Sequence, residues 1–243
     1  MKDDSVRPRP LRQARIGRAT AALATLALAF AALIGSPGCR AADVAPPSGD
    51  VPLPAARTAG SVSLEAAMAG RKPVHGFGAG EVSAAEVAQL LWAAQGIIAP
   101  GARTAPSPGG LHALEVYVAR ADGVHRYVPA SNTAHSLVKV VPLDVRKAIA
   151  LATGDADELR AAPVLVVITA QPARARQRFG DKAERMVAIE GGHAGQNVLL
   201  QATAMGLAAT PLGVFDDEAL RKALVLPSDH LPIHVIAVGR PLQ

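Results

Sequence analysis

The chain has little of what several protein classes require. Cys39 is the only cysteine among 243 residues, so the chain can form neither an internal disulfide nor a metal cluster held by several cysteines. Aromatic residues make up 3% of the sequence, and no lysine run or RNA-binding aromatic cluster occurs. The formal charge of +5 comes largely from the first twenty residues, and the remainder is close to neutral. We therefore expect no nucleic-acid partner.

Familiar catalytic motifs are also missing. The sequence has no Gly-x-Ser-x-Gly elbow and no His-Glu-x-x-His zinc motif. His230 and His234 have the spacing of zinc ligands on a helix, but Pro232 between them argues against a shared helical face. The glycine-rich loop 76–80 lacks the preceding strand of a dinucleotide-binding fingerprint. Such a shortage of acid–base groups is typical of an enzyme whose cofactor supplies the chemistry.

The N-terminus has the layout of a secretory signal. Basic residues come first, an uncharged apolar stretch covers residues 19–34, and small residues precede Cys39. The apolar stretch is shorter than the roughly 20 residues that span a membrane. Cys39 lies where a bacterial lipoprotein signal carries its lipidated residue, although Ser36-Pro37 is unusual before it. We expect residues 1–39 to be a signal peptide; an uncleaved anchor is the alternative.

An exported protein of the cell envelope or periplasm follows from this interpretation, with membrane contact only through a lipid on Cys39. Residues 40–60 are rich in proline, alanine and glycine without apolar periodicity, which predicts a linker. The folded domain is expected over residues 61–243, where one hydrophobic core of ordinary size can form.

Helix signals are frequent in this domain. Ser63 predicts the N-cap of a short helix that stops near Gly70. Ser83 and Glu86 form a capping box, and the helix that follows should end at Gly96. Four further helices are predicted over residues 143–152, 174–190, 191–205 and 218–224, the third of them buried on most sides.

Strand patterns alternate with these helices. Residues 114–119 predict a half-buried strand, which Asp122-Gly123 turns into a partner over 124–128. Residues 163–169 form a continuous β-branched run, typical of a central strand covered on both faces. Further strands are predicted from Leu207 and over residues 232–238. The order of elements predicts an α+β fold, a mixed β-sheet flanked by helices.

The segment from Arg103 to Gly110, hereafter the lip, combines rigid residues with one hydroxyl. Pro106, Pro108 and Gly109 have strong backbone preferences, and Ser107 carries the hydroxyl. Such a segment suits a rigid surface against which a flat ligand lies. An ordinary connection into the next strand is the alternative interpretation.

Six segments in order resemble the nitroreductase-like FMN flavoproteins, and most closely their SagB/ThcOx-type dehydrogenase branch. They are Leu90–Gly96, Arg103–Gly110, Leu114–Val118, Glu190–Asn197, Ala204–Leu207 and Val238–Pro241. The resemblance covers about residues 62–241. It implies a nitroreductase-like fold, and a homodimer with a buried helix at its interface and an FMN contacted by both chains.

The resemblance also implies where FMN binds. The family's phosphate-holding segment corresponds to residues 71–75, hereafter the basic segment, in which Arg71 and Lys72 keep the charge. Pro73 loses a hydroxyl and a backbone donor, and His75 replaces a permanent cation. We therefore expect phosphate affinity that is weaker and more pH-dependent than is usual for the family.

The remaining cofactor contacts come from four other regions. The lip would meet the flavin from the other subunit, Asn197 or its neighbour Gln196 would add an amide, and Arg240 would reach the phosphate. A backbone N–H near Gly213 would hydrogen-bond flavin N5. The positions implied are Pro106, Ser107, Gly109, Asn197, Pro211, Leu212, Gly213 and Arg240. A satisfied backbone contact for the amides and a solvated charge for Arg240 are the alternatives.

The leading functional interpretation is an FMN-dependent oxidoreductase of the cell envelope. It would act on a small organic substrate with an electron donor such as NAD(P)H, and no catalytic side chain or metal is assigned. Azoline (thiazoline or oxazoline) peptide dehydrogenation is an alternative, but the lysine–tyrosine pair of peptide-oxidising members is missing, and Met186 stands where tyrosine is common. A non-catalytic envelope protein that uses the dimeric fold for binding is the third hypothesis.

Overall fold

A computed structural model describes residues 50–131, 134–154 and 157–242. Its strands are β1 (Asp50–Pro52), β2 (Ile97–Ala99), β3 (Ala102–Arg103), β4 (Leu114–Arg120), β5 (Gly123–Val128), β6 (Ser136–Val141), β7 (Val164–Ala170), β8 (Ala208–Leu212) and β9 (Leu231–Gly239). Its α-helices are α1 (Leu64–Gly70), α2 (Ala84–Gln95), α3 (Arg146–Ala152), α4 (Asp157–Ala161), α5 (Pro172–Phe179), α6 (Ala183–Ala204) and α7 (Asp217–Leu224).

Within these residues a seven-stranded sheet has the order β1-β6-β5-β4-β7-β9-β8, and each of its pairings is antiparallel. Every residue of β7 is buried, which confirms the predicted central strand. The predicted hairpin is also confirmed, since Arg120 pairs with Gly123 across the turn. β4 is not half-buried as predicted: Val116 through Ala119 are consecutively buried, because helices cover both faces of the sheet.

Two hydrophobic clusters hold the layers together. On one face, Leu91 of α2 and Val198 of α6 belong to the same buried cluster as Val118 of β4. On the other face, Ile149 of α3 and Leu220 of α7 belong to the cluster that contains the remaining core residues of the sheet. The expected α+β class, with helices flanking the sheet, is confirmed.

The helix starts follow local capping chemistry. The hydroxyl of Ser63 accepts a 3.1 Å hydrogen bond from the N–H of Ala66 at the start of α1. Ser83 and Glu86 form the predicted capping box of α2, with Gly96 as the C-cap. These termini are set by residues a few positions apart, which is why the sequence predicts them.

The boundary between α5 and α6 differs from the prediction. A break was expected at Gly191, but α6 runs through it, and the chain instead breaks at Gly180, where φ is +52°. Gly191 and Gly195 face β9, where an added Cβ would overlap Ile233 or His234. These glycines allow the helix to pack closely on the strand, so they do not end it.

Part of the predicted linker belongs to the domain. β1 pairs with β6, Leu53 is buried, and the N–H of Arg57 donates to Gln89 over 2.8 Å. The packed region therefore begins before residue 61. The predicted signal peptide with Cys39, and residues 40–49, lie outside the described residues. Across the part that the structure describes, no helix is long and apolar enough to cross a membrane.

Candidate functional site

The basic segment is hydrogen-bonded to β8, one of the two edge strands of the seven-stranded sheet. The N–H of Val74 donates to Oγ1 of Thr210 over 2.8 Å, and the Thr210 hydroxyl donates back to the Val74 carbonyl over 2.6 Å. This reciprocal pair joins residues that are 136 positions apart. It places Arg71, Lys72 and His75 in a segment anchored immediately before Pro211.

The residues after Thr210 form an open surface at the edge of the sheet. Pro211 and Leu212 complete β8 and are half-buried, and Gly213 is exposed. An added Cβ at Gly213 would meet no atom within 4 Å. Val214 is 88% exposed, which is unusual for a large apolar side chain. A flat ligand with an apolar body could therefore approach this edge closely.

The backbone of Arg240 lies beside the glycine-rich loop that follows the basic segment, but its side chain contacts other residues. Its carbonyl accepts a 2.9 Å hydrogen bond from the N–H of Gly78. Its guanidinium makes a bidentate contact with Glu86 at 2.7 and 2.9 Å and also donates to the Glu81 carbonyl. Burial by itself would raise the pKa of Glu86, but the hydrogen bonds from Arg240 and Ser83 outweigh it, so the pKa is lowered. Arg240 thus braces the start of α2.

The lip is held against α6. The hydroxyl of Ser107 donates to Oε2 of Glu190 over 2.8 Å and accepts from the N–H of His112 over 2.9 Å. Asn197, about two helical turns further along α6, donates its amide to the carbonyl of Thr104 over 3.1 Å. Both side chains proposed for cofactor contact are therefore engaged within one chain, and Asn197 satisfies a backbone carbonyl.

The exposed end of the lip is a short 3-10 turn over Pro108–Gly110. Pro106 is exposed, and Gly109 has a φ of +67°. Arg178 of α5 packs so closely over Gly109 that an added Cβ would lie 2.9 Å from its Cδ. The positive φ favours glycine here, and the Arg178 side chain would have to shift to admit a Cβ.

The predicted site residues thus form two sets. The first comprises the basic segment and Pro211–Gly213, with the backbone of Arg240 nearby. The second comprises Pro106, Ser107, Gly109 and Asn197. The first set is anchored to β8 and the second to α6.

Two polar residues that the sequence interpretation did not assign hold these sets in place. Thr210 had no local signal, since its partner Val74 is remote in sequence. Glu190 is a carboxylate that is 1% exposed on an otherwise apolar helix face, and burial raises its pKa, partly offset by the Ser107 hydrogen bond. A charged residue among buried positions of α6 was the signal that could have identified it.

The chain is similar to known proteins over most of the folded domain. The model of the nitroreductase family matches residues 68–240. A protein of Methanocaldococcus jannaschii named as a nitroreductase is 31% identical over 189 residues, covering 75% of this chain and 93% of that protein.

Two solved structures show the same fold. A nitroreductase structure from Ralstonia eutropha has a TM-score of 0.72 at 29% identity, covering 80% of this chain and 90% of that one. A chain of the E. coli microcin synthetase complex, solved with truncated pro-microcin bound, has a TM-score of 0.62 at 24% identity, covering 71% and 70%. The expected nitroreductase-like fold is confirmed, and the chain belongs to the nitroreductase family.

Proposed function

We propose that this protein is an FMN-dependent oxidoreductase that acts on a small organic substrate, with NAD(P)H as electron donor. The observation that carries the proposal is the reciprocal hydrogen bonding between Val74 and Thr210. It sets a cationic segment beside an open strand edge, which suits a ligand with a phosphate at one end and a flat ring system at the other.

The residues present fit FMN. Within the described chain the side chains of Arg71 and Lys72 form no ion pair, so both cations are available to a phosphate. The open edge at Gly213 offers a backbone N–H, and exposed Val214 offers apolar surface beside it. FMN, when bound, would supply hydride and electron transfer, while the protein orients it and tunes its surroundings.

Arg240 is the weakest member of the proposed site. Its guanidinium already satisfies Glu86 and the Glu81 carbonyl, and it would have to leave both to reach a phosphate. Arg71 and Lys72 would therefore supply most of the positive charge that binds the phosphate. This arrangement agrees with the weaker phosphate affinity expected from the altered basic segment.

We further propose a homodimer that brings the lip of one chain to the flavin of the other. Leu64 and Met68 of α1 and Ile189 of α6 are 57%, 54% and 41% exposed, although α1 packs on α6. A cavity of about 310 Å³ between α1, α2 and α6 extends this apolar surface. Burying it against a second copy would cover the face of α6 that one chain leaves exposed.

Within the family, the six matching segments favour the SagB/ThcOx-type branch. We also propose that the protein is exported to the cell envelope and anchored through a lipid on Cys39. Fractionation of the producing cells would test the anchor, since a Cys39→Ser variant should move from the membrane to the soluble fraction. If the wild type and the Cys39→Ser variant were found in the same fraction, lipid anchoring would be refuted.

The flavin assignment is tested by absorption spectroscopy of the purified full-length protein. We expect a flavin spectrum as isolated or after reconstitution with FMN, and weaker FMN retention in Arg71→Ala and Lys72→Ala variants. An Arg176→Ala variant, which removes an exposed cation paired with Glu184, is the matched control. A wild-type protein that cannot take up flavin would refute the enzymatic proposal and favour the binding-only hypothesis.

The dimer is tested separately by sedimentation. An added Cβ at Gly192 meets nothing within 4 Å in one chain, so a Gly192→Arg variant should fold but dissociate into monomers. Ala219→Arg, at an exposed position of α7, is the control and should leave the dimer intact. A monomeric wild type, or a Gly192→Arg variant that remains dimeric, would show that this face is not the interface.

A further inference from the structure

A partly open polar cavity lies at the start of the lip, where Arg103 lines it, and no residue of the basic segment takes part. It has a volume of about 230 Å³, and its lining includes Gln95, Arg103, Glu115, Arg126, Tyr127 and Arg174. These residues come from the end of α2, from β3, β4 and β5, and from α5. The cavity is therefore built by elements that meet only in the folded domain.

The charge around this cavity is positive. Its lining carries three guanidinium groups and one carboxylate. Glu115 is shared by two of the cations, since Arg174 Nη2 lies 3.0 Å from one of its oxygens and Arg126 Nη1 lies 3.7 Å from the other. Burial lowers the pKa of Arg103, while the charges of Glu115 and Glu190 raise it. One carboxylate on the lining cannot neutralise three cations.

Gln95 adds an unused donor to the same cavity. Its Oε1 accepts a 3.1 Å hydrogen bond from Arg103 Nη1, which fixes the orientation of the amide, because the opposite orientation would set NH₂ against the guanidinium. Gln95 is 1% exposed, and its Nε2 has no hydrogen-bond partner among the described residues. A buried donor without an acceptor in the described chain, beside excess positive charge, suits an anionic acceptor.

We propose that this cavity binds a small oxyanion, either phosphate or a dicarboxylate. The guanidinium groups of Arg103, Arg126 and Arg174 offer paired donors that match the oxygens of such a group, and Gln95 offers a neutral donor. The site shares none of the residues assigned above to FMN contact, although Arg103 begins the lip.

The occupant would also brace the lip. Arg103 begins the lip, and Arg174 Nη1 donates to the carbonyl of His112 just beyond its end over 3.2 Å. An anion held by both arginines therefore links the two ends of the segment that carries Ser107. Ligand binding in the cavity would therefore make the lip more rigid.

Isothermal titration calorimetry of the purified full-length protein tests the site. Sodium phosphate and sodium malonate are titrated at constant ionic strength, with sodium chloride as the control anion. We expect one saturable oxyanion site per chain, and tighter binding of one probe identifies the preferred chemistry. Arg126→Gln and Arg174→Gln should each weaken binding by about tenfold or more, since each removes a charge-assisted hydrogen-bond donor.

Two controls separate this site from the others. Arg176→Gln removes a neighbouring cation on α5 that lines a different cavity, and it should leave the affinity unchanged. Arg71→Gln should also leave it unchanged, because a phosphate bound in the FMN site would depend on that residue. No saturable binding beyond chloride, or loss of binding in either control with retention in both cavity variants, would overturn the proposal.

Discussion

The hydroxyl of Ser107 donates to Oε2 of Glu190 over 2.8 Å, which joins the lip to the central helix α6 across 83 positions of sequence. The same oxygen of Ser107 accepts a hydrogen bond from the N–H of His112, so the serine hydrogen-bonds both to α6 and to the residue that follows the lip by two positions. Its role in one chain is to position the lip. Any contact with a cofactor would be made by the outer surface that this pair holds in place.

Removing the hydroxyl should therefore cost stability. A Ser107→Ala variant leaves the N–H of His112 and a buried carboxylate without their partner, and we expect the free energy of unfolding to fall by about 1–3 kcal/mol. Urea denaturation at neutral pH measures the change. Ser228→Ala, which removes an exposed hydroxyl, should change it by less than about 0.5 kcal/mol. Equal effects of the two substitutions would contradict a bracing role for Ser107.

Glu190 should make stability depend on pH. Because burial raises its pKa, the folded chain binds more protons here than the unfolded chain between the ordinary glutamate pKa and the raised one. Its contribution to stability therefore falls as pH rises through that interval. A Glu190→Gln variant keeps an acceptor for Ser107 but cannot ionise, so its stability relative to wild type should increase with pH. A relative stability that stays constant across the titration would show that Glu190 does not titrate this way.

Thr210 should couple the stability of the fold to the cofactor site. A Thr210→Val variant keeps the shape of the side chain but loses both hydrogen bonds to Val74. We expect a loss of about 1–3 kcal/mol in the free energy of unfolding and weaker FMN retention, measured by denaturation and by flavin release on dilution. Thr153→Val, which removes a local hydrogen bond to Ala150, should leave flavin retention unchanged. If the Thr210→Val variant retained FMN as well as the wild type, the position of the basic segment would not matter for flavin binding.

Gly195 should tolerate no side chain even though it lies within a helix. Alanine normally favours a helix over glycine by about 1 kcal/mol, but a Cβ here would overlap the ring of His234 in β9. We expect Gly195→Ala to lower the free energy of unfolding by about 1–3 kcal/mol through overpacking, as measured by chemical denaturation. Gly60→Ala, where a Cβ meets no atom within 4 Å, is the matched control. A neutral or stabilising Gly195→Ala variant would show that α6 can move away from β9.

The local features of the fold could be predicted from sequence because their causes are local. Ser63, Ser83 and Asp216 cap helices through hydrogen bonds to residues three positions away. The β-branched run that became β7 is itself the signal of a strand buried on both faces. The same local logic failed at Gly191, where a glycine that looked like a helix end serves contact with a remote strand.

The composition, the capping pattern and the ordered segments of the sequence were enough to determine the α+β class and to identify the family. The tertiary structure decided which predicted site residues are available. Arg240 is paired with Glu86, and Ser107 with Glu190, through contacts 154 and 83 positions apart. The tertiary structure also brought Arg103, Arg126 and Arg174 together around one cavity from separate elements. Such long-range pairs leave no periodic or local pattern in a single sequence, because only packing of the folded chain creates them.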